Sequence, residues 1–162
     1  MNKDEEYMQL ALQQAQLAYD AGEVPVGAVV VLDDEVIGEG YNCPITTLDP
    51  SAHAEVTAIR NAAENIGNYR LSGATLYVTV EPCSMCTGLL VHSRIKRLVF
   101  GTKEPKSGAV ESAITLLNSD FYNHTIEVSS GILSNKCSQI MTDFFQMRRD
   151  AKKRLKKSAS KP

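Results

Sequence analysis

The pattern of apolar and polar positions predicts a chain in which helices and strands alternate. From Asp4 to a stop at Gly22, apolar residues recur at three- and four-residue spacing and acidic residues occupy the first turn, as in an amphipathic helix. Two β-branched segments, 26–32 and 35–42, then flank a turn of two aspartates. This arrangement predicts a β-hairpin directly after the first helix.

The rest of the chain continues the alternation. Further predicted elements are a loop over 43–51, a helix over 53–65, a strand over 74–80, a helix over 84–92, a strand over 97–101, a loop over 104–111, a short helix over 112–118, a possible last strand over 125–131, and a final helix from Ser134 into the C-terminal end. Strands that alternate with helices predict the α/β class, with one sheet covered by helices on both faces. The pattern does not determine the order of the strands.

Composition is ordinary for a soluble globular domain. The chain has 162 residues, of which 43% are hydrophobic and 22% are charged. No apolar stretch follows a basic start and no window approaches eighteen apolar residues, so we expect no signal peptide and no membrane span, and a cytoplasmic location. In a reducing compartment we expect thiols rather than disulfides, with Cys43 and Cys137 as ordinary thiols.

Charge is distributed unevenly between the body of the chain and its end. Residues 148–162 carry a net charge of +7, whereas the preceding 147 residues carry −9. A basic run of this kind is either a solvated helix end or a contact for phosphates, and charge alone does not decide between them. With no repeat or linker in 1–150, we expect one domain over 1–150 and a basic tail over 151–162.

A candidate metal site is formed by a Pro-Cys-x-x-Cys motif and an upstream histidine. Cys83 and Cys86 are three residues apart at a predicted helix start, where both sulfurs can share one face. His53 begins another helix and can supply a third ligand. A redox dithiol would not need this histidine, and a zinc finger would need a second ligand pair. Three ligands and one open position are typical of a catalytic zinc that holds water.

Glu55 makes the hydrolytic interpretation the stronger one. Alone, a glutamate in a first helical turn is most simply an acid that complements the helix dipole. In mid-helix, its side chain and that of His53 would point nearly opposite ways, but in a first turn after a loop both can reach a point beyond the helix end. Glu55 can therefore accept the proton of a zinc-bound water.

These residues resemble the zinc-dependent nucleobase deaminases, whose signature joins His-x-Glu to Pro-Cys-x-x-Cys. The surrounding blocks look like the bacterial tRNA-specific adenosine deaminase family over roughly residues 5–150. Those blocks are EVPVGAVVV, IGEGYN, DPSAHAEVTAIR, NYRLSGATLYVTVEPCSMC, HSRIKRLVFGTKEPKSGA and FFQMRR. The resemblance implies a three-layer α/β/α cytidine-deaminase-like fold with a mixed five-stranded sheet, and a homodimer.

The resemblance also implies an activity, namely hydrolytic deamination of the wobble adenosine (position 34) to inosine in the anticodon loop of an arginine tRNA with an ACG anticodon. Zinc, held by His53, Cys83 and Cys86, would activate a water to attack C6, while Glu55 shuttles the proton through N1. The residues implied to contact the substrate are Asn42, Ala54, Lys106, Ser107, Phe145 and Arg149. Phe144 is better explained as packing in the core.

Two alternatives share parts of this pattern. A deaminase of a free base or nucleotide would use the same metal chemistry, and the acidic body of the chain favours it. A non-catalytic RNA-binding subunit with a structural zinc would need neither Glu55 nor an open ligand position. Two positions also differ from the family pattern near the loop expected to face RNA, because Glu104 replaces a common Asp and Glu111 a common Gly.

Overall fold

The computed structural model describes residues 1–160, which form one sheet between two layers of helices. The helices are α1 (Lys3–Asp20), α2 (Pro44–Thr47), α3 (Ala54–Ile66), α4 (Ser84–His92) and α5 (Ser134–Ser160), with a 3₁₀ turn at Leu116–Asn118. The strands are β1 (Gly27–Leu32), β2 (Glu35–Tyr41), β3 (Thr75–Val80), β4 (Arg97–Thr102) and β5 (Glu127–Ser130).

The five strands form a mixed sheet in the order β2-β1-β3-β4-β5. Strand β1 pairs antiparallel with both β2 and β3, whereas β3, β4 and β5 are mutually parallel. The connection from β3 to β4 passes through α4, whereas the connection from β4 to β5 contains only the 3₁₀ turn at Leu116–Asn118. The predicted α/β class and mixed five-stranded sheet are confirmed.

Alternating side chains of the strands supply the two faces of the sheet. On one face, Val30, Leu76 and Phe100 pack with the apolar sides of α3 and α4. On the other face, Val29 and Val99 pack against α1 and the first turns of α5. Because neighbouring residues of a strand point to opposite faces, these buried strands carry apolar residues at nearly every position.

Helix α1 is joined to the sheet by a charged contact near its first turn. The carboxylate of Asp4 accepts hydrogen bonds from Arg97, at 2.9 and 2.8 Å, and from the hydroxyl of Tyr77 at 2.7 Å. The hydrogen bonds from Arg97 are the largest cause of a lowered pKa of Asp4, and that from Tyr77 acts in the same direction. Burial raises the pKa of Tyr77 most, and its hydrogen bond to Asp4 raises it further. The N-terminus of α1 is also capped by Asn2.

A close approach between β2 and α3 fixes the position of the third helix. A Cβ at Gly40 would lie 2.5 Å from the backbone N of Ala58, so a side chain there would push α3 away from the sheet. Gly67 ends α3 in the left-handed region, at φ 71°. The first turn of α3, which carries the predicted ligand histidine, is thereby held at one end of the sheet.

One predicted element is wrong. Residues 112–118 do not form a helix, and only Leu116–Asn118 adopt a 3₁₀ turn. The backbone N–H and the hydroxyl of Ser112 both donate to the carboxylate of Glu81, and the N–H of Ala113 donates to Gly108 O at 2.9 Å. These non-helical partners, of which Glu81 lies thirty-one residues away, replace the helical ones. The single turn α2 also lies inside the predicted loop 43–51, and the last strand is shorter than predicted.

The final helix continues from Ser134 to Ser160, as predicted, and carries the basic end of the chain. From Lys152 to Ser160 its side chains are all exposed. The last two residues of the predicted tail, 161–162, lie outside the described residues. Of the helices in residues 1–160, none combines the length and apolar character that a membrane crossing needs.

Candidate active site

The predicted metal ligands and Glu55 meet at the end of the sheet where β3 finishes. Register places Ala28 of β1 opposite Val78 of β3, and Gly27 of β1 opposite Tyr41 of β2. The start of β1 and the ends of β2 and β3 therefore lie at the same end of the sheet. Helices α3 and α4 begin at this end of the sheet, so their N-termini lie close together.

Three ligand atoms form a compact cluster. The Nδ1 atom of His53 lies 3.5 Å from the Sγ atoms of both Cys83 and Cys86. His53 is the N-cap of α3 and Cys83 is the N-cap of α4. Within residues 1–160, these three side chains are the group of His, Cys, Asp and Glu residues able to hold a metal, with ligand atoms within 4.8 Å of one another.

The cluster fits a zinc ion. Thiolate and imidazole atoms bound to zinc at about 2.3 and 2.0 Å, at the tetrahedral angle, lie about 3.5 Å apart. The distances from His53 to both sulfurs match this value. The hydrogen bond from Cys86, helped by that from His53, lowers the pKa of Cys83 to about 4. Hydrogen bonding to Cys83 and burial raise the pKa of Cys86.

Glu55 lies in the first turn of α3, two residues after His53, and only 4% of it is exposed. Burial raises the pKa of its carboxyl to about 7, and the neighbouring charge of Cys83 acts in the same direction. A carboxyl with a pKa near 7 can exchange a proton in both directions at neutral pH. Its side chain lines the same cavity as His53 and Cys83.

A cavity of about 350 Å³ opens beside the cluster, large enough for a small planar ring. Of the predicted contacts, Asn42 and Ser107 line this cavity. The amide of Asn42 donates to the carbonyl of Val24 at 3.2 Å, which leaves its carbonyl oxygen as a free acceptor. The other lining residues are Val24, Val26, Pro44, His53, Glu55, Val80, Glu81, Cys83, Glu104 and Met141.

The remaining predicted contacts lie elsewhere. Phe145 and Arg149 line a second cavity of about 350 Å³ that shares Val80, Glu104 and Met141 with the first. Phe145 is 39% exposed, whereas Phe144 is fully buried, as predicted for a core residue. Lys106 and Ala54 line neither cavity. Lys106 is exposed on the loop, and Ala54 is fully buried at the start of α3.

Two buried glutamates were not predicted as functional residues, and both hold loops beside the cavity. Glu23 accepts hydrogen bonds from the backbone N–H of Ile45 and from the N–H and hydroxyl of Thr46. Glu81 accepts from the loop that contains Ser107. Burial opposes ionisation of both, but these donors lower the pKa of each carboxyl. In the sequence, the feature that could have pointed to these two residues is an acidic residue next to an apolar strand segment.

The two other histidines of the chain stand apart from the cluster. His92 is exposed at the end of α4, and Nε2 of His124 lies 2.6 Å from the carbonyl oxygen of Ile95. Cys43 and Cys137 are free thiols, as predicted, and burial raises the pKa of Cys137 to about 12. The arrangement thus combines three side chains that could hold a metal, an adjacent buried carboxyl and a cavity, which suits hydrolytic chemistry.

Comparison with known proteins finds the MafB19-like deaminase family over residues 1–149. The chain is 54% identical to the tRNA-specific adenosine deaminase of Haemophilus influenzae over 151 residues, which is 93% of this chain and 87% of that protein. It is 42% identical to the tRNA-specific adenosine deaminase of Bacillus subtilis over 160 residues, or 99% of each chain.

Solved structures agree with this grouping. A structure from work on A-to-I editing by tRNA:A34 deaminases at the wobble position of transfer RNA matches with a TM-score of 0.81 and 43% identity, over 83% of this chain and 98% of that one. A guanine deaminase from Nitrosomonas europaea matches with a TM-score of 0.77 at 20% identity, over 89% and 85% of the two chains. The second likeness concerns the fold alone.

Proposed function

The chain belongs to the tRNA-specific adenosine deaminase family, and we propose that it converts the wobble adenosine at position 34 to inosine in an arginine tRNA with an ACG anticodon. The observation that carries this proposal is the position of Glu55, buried at the cavity wall two residues after a metal-ligand histidine. A structural zinc site has no need of such a carboxyl. The acceptance of the ACG anticodon in particular is supported only by the resemblance of the sequence blocks.

Zinc is the metal that the donor set favours, since one imidazole and two cysteine sulfurs are typical zinc ligands. His53, Cys83 and Cys86 would hold one ion per subunit. When bound, zinc supplies a nucleophile by lowering the pKa of a water to about 7. The helix N-termini at Ala54 and Ser84 add favourable charge for the thiolates.

Glu55 carries protons in the proposed mechanism. Its carboxylate accepts a proton from the attacking water and delivers it to N1 of adenine, while the oxygen bonds to C6. The second water proton then passes through Glu55 to the amino group, the C6–N bond breaks, and ammonia leaves. The balanced reaction is adenosine plus water giving inosine plus ammonia. Burial of Glu55 favours this role, because its pKa of about 7 lies near the working pH.

Asn42 and Ser107 are proposed to position the flipped adenosine. Both line the cavity, and the free carbonyl oxygen of Asn42 can accept a hydrogen bond from the base or its ribose. Ala54 would offer its backbone next to the base. Single-stranded loops are the part of an RNA in which a base can leave the stack at small cost, so an anticodon loop suits this cavity.

Lys106, Phe145 and Arg149 are proposed to contact the rest of the anticodon loop. Lys106 is exposed on the loop that borders the cavity, and the other two line the neighbouring cavity. An exposed aromatic ring and a guanidinium are suited to stack on unpaired bases and to bind phosphates. A tRNA substrate also fits the proposed cytoplasmic location.

A homodimer is proposed from the family resemblance. Several large apolar side chains near the site are exposed, including Ile45 and Leu48 at α2 and Met85 in the first turn of α4. A second copy of the chain would cover such residues favourably. Sedimentation at micromolar concentration should give twice the mass of the chain, and a monomer under the same conditions would contradict the proposal.

The proposed substrate can be tested with a transcript of the arginine tRNA that carries ACG. The purified protein should release one ammonia per tRNA and leave inosine at position 34. A transcript with guanosine at position 34 is the matched control and should release none. Free adenosine, cytidine and guanine should also remain unchanged. Ammonia from a free base, with the tRNA unaltered, would replace the RNA assignment with a free-base deaminase.

A further inference from the structure

The carboxylate of Glu81 is the centre of an unusual set of hydrogen bonds beside the cavity. Its Oε2 atom accepts the backbone N–H groups of Val110, Glu111 and Ser112 at 3.1, 2.7 and 3.0 Å. Its Oε1 atom accepts the N–H of Glu104 at 3.1 Å and the hydroxyl of Ser112. Only 4% of the Glu81 residue is exposed.

These donors all belong to the segment 103–112, which we call the 103–112 loop. It has no regular secondary structure, so its backbone groups must find partners elsewhere. The loop closes on itself through a hydrogen bond from Gly108 N to Glu104 O at 2.8 Å. It also contacts the Pro-Cys-x-x-Cys motif, because Ala109 N donates to Pro82 O at 2.8 Å. Glu81 thus holds both ends of the loop with one side chain.

The fit around Glu81 leaves no spare room. An added Cβ at Gly108 would stand 2.5 Å from Glu81 Oε1, so a residue larger than glycine would displace the loop or the carboxylate. The two positions that differ from the family pattern belong to the same network. Glu111 donates its N–H to Glu81 and places its carboxylate 3.6 Å from Nζ of Lys103, and Glu104 accepts the N–H of Lys106 at 3.1 Å.

The 103–112 loop forms one wall of the cavity. Glu104 and Ser107 line the cavity from this loop, and Glu81 lines it from the end of β3. Because Glu81 is followed by Pro82 and the ligand Cys83, the same short segment sets the position of a metal ligand and of the cavity wall. A shift of this wall changes the space available to a ring without requiring any shift of the ligands.

We propose that Glu81 is a positioning residue that fixes the 103–112 loop in its substrate-binding conformation. Without the carboxylate, the 103–112 loop would sample other conformations. Substrate would then bind only those protein molecules in which the loop has the conformation seen here. The proton transfers of Glu55 are not touched. This role rests on the proposed function, because the cavity is taken to hold the adenine.

Glu81→Gln is the sharpest substitution, since it keeps the size of the side chain but replaces one acceptor oxygen with an amide NH₂. The remaining carbonyl oxygen can serve the three N–H groups at 110–112, which leaves the N–H of Glu104 facing a donor. On an anticodon stem-loop RNA, we expect KM to rise about tenfold, kcat to stay within about twofold and the zinc content to stay unchanged. Glu64→Gln, an exposed position on α3, is the matched control and should behave as the wild type.

A second variant keeps the test valid if Glu81→Gln folds poorly. Gly108→Ala disturbs the same contact without altering any charge, and it should raise KM in the same way. In the double variant the two effects should not add, because both act through one contact. Wild-type turnover of the same RNA tests the proposed function separately. If kcat and zinc content fell together in these variants while KM stayed at the wild-type value, Glu81 would support only folding and the positioning role would be wrong.

Discussion

The Nδ1 atom of His53 lies 3.5 Å from Sγ of Cys83, although thirty residues separate them in the chain. The contact exists because each residue caps a helix that begins at the same end of the sheet. Helix α3 is held there by its close approach to β2 at Gly40, and α4 follows directly from β3 through Pro82. The fold therefore brings the three proposed metal ligands together from two separate helix starts.

Replacing Glu55 by Gln should remove the chemistry and leave the metal in place. The amide has nearly the shape of the carboxyl but cannot accept the proton of water, so we expect kcat to fall by about 10²–10⁴. Inosine is measured by mass spectrometry of digested RNA, and zinc by elemental analysis. Full activity in a zinc-loaded Glu55→Gln protein would contradict the proton-carrier role.

Replacing Cys86 by Ala should remove the metal itself. Cys86 is fully buried in the cluster, and two remaining ligands hold zinc far more weakly than three. After dialysis against a chelator, the variant should lose its zinc and its activity together, whereas the wild type recovers activity when zinc is restored. Cys43→Ser serves as the control, because this thiol lies outside the cluster and its zinc content should stay at the wild-type level.

Deleting residues 151–162 should weaken RNA binding in a salt-dependent manner. The end of α5 extends beyond Asp150 by about 15 Å and presents exposed lysine and arginine side chains. If three or more of them bind phosphates, the slope of log KM against log salt should become shallower by about 2 in the truncated protein, with kcat unchanged. Lys136→Ala, at the other end of the same helix, is the matched control. Identical slopes would show that the tail is only solvated.

Replacing Asp4 by Asn should lower the stability of the fold in a way that depends on pH. The folded state holds the pKa of Asp4 below its ordinary value. The ionised Asp4 therefore adds its full contribution to the free energy of unfolding above the pKa of the unfolded state, and this contribution is lost as pH falls through the pKa of the folded state. We expect Asp4→Asn to cost about 1 kcal/mol at pH 7 and nothing at a pH below the folded pKa. Urea unfolding at several pH values measures this difference. A cost that stayed constant down to that pH would exclude the Arg97 pair as its origin.

The three candidate metal ligands could be predicted because short segments of the sequence identify them. Cys83 and Cys86 are three residues apart at a helix start, and His53 follows a loop, so ligand type and helix position could be derived from short segments. The class of the fold followed from the alternation of strands and helices. The order of the strands depends on pairing between distant segments, and no local pattern contains it.

The segment 112–118 shows why the rest could not be predicted. Its composition favours a helix, yet Ser112 gives its N–H and hydroxyl to a carboxylate thirty-one residues earlier in the chain. That carboxylate belongs to Glu81, which is buried directly after β3. A single sequence does not indicate that it will accept five hydrogen bonds. Tertiary hydrogen bonds thus overrode the local preference, and the same contacts hid the role of Glu81.

Reaction in ¹⁸O-labelled water tests whether this site adds water to the wobble adenosine. The tRNA transcript is incubated with the protein, and the anticodon fragment is then analysed by mass spectrometry. We expect inosine at position 34 with one ¹⁸O atom at C6, one ammonia released per tRNA, and neither product with the Glu55→Gln protein. An unaltered adenosine at position 34, with a fully zinc-loaded wild-type protein, would contradict this expectation.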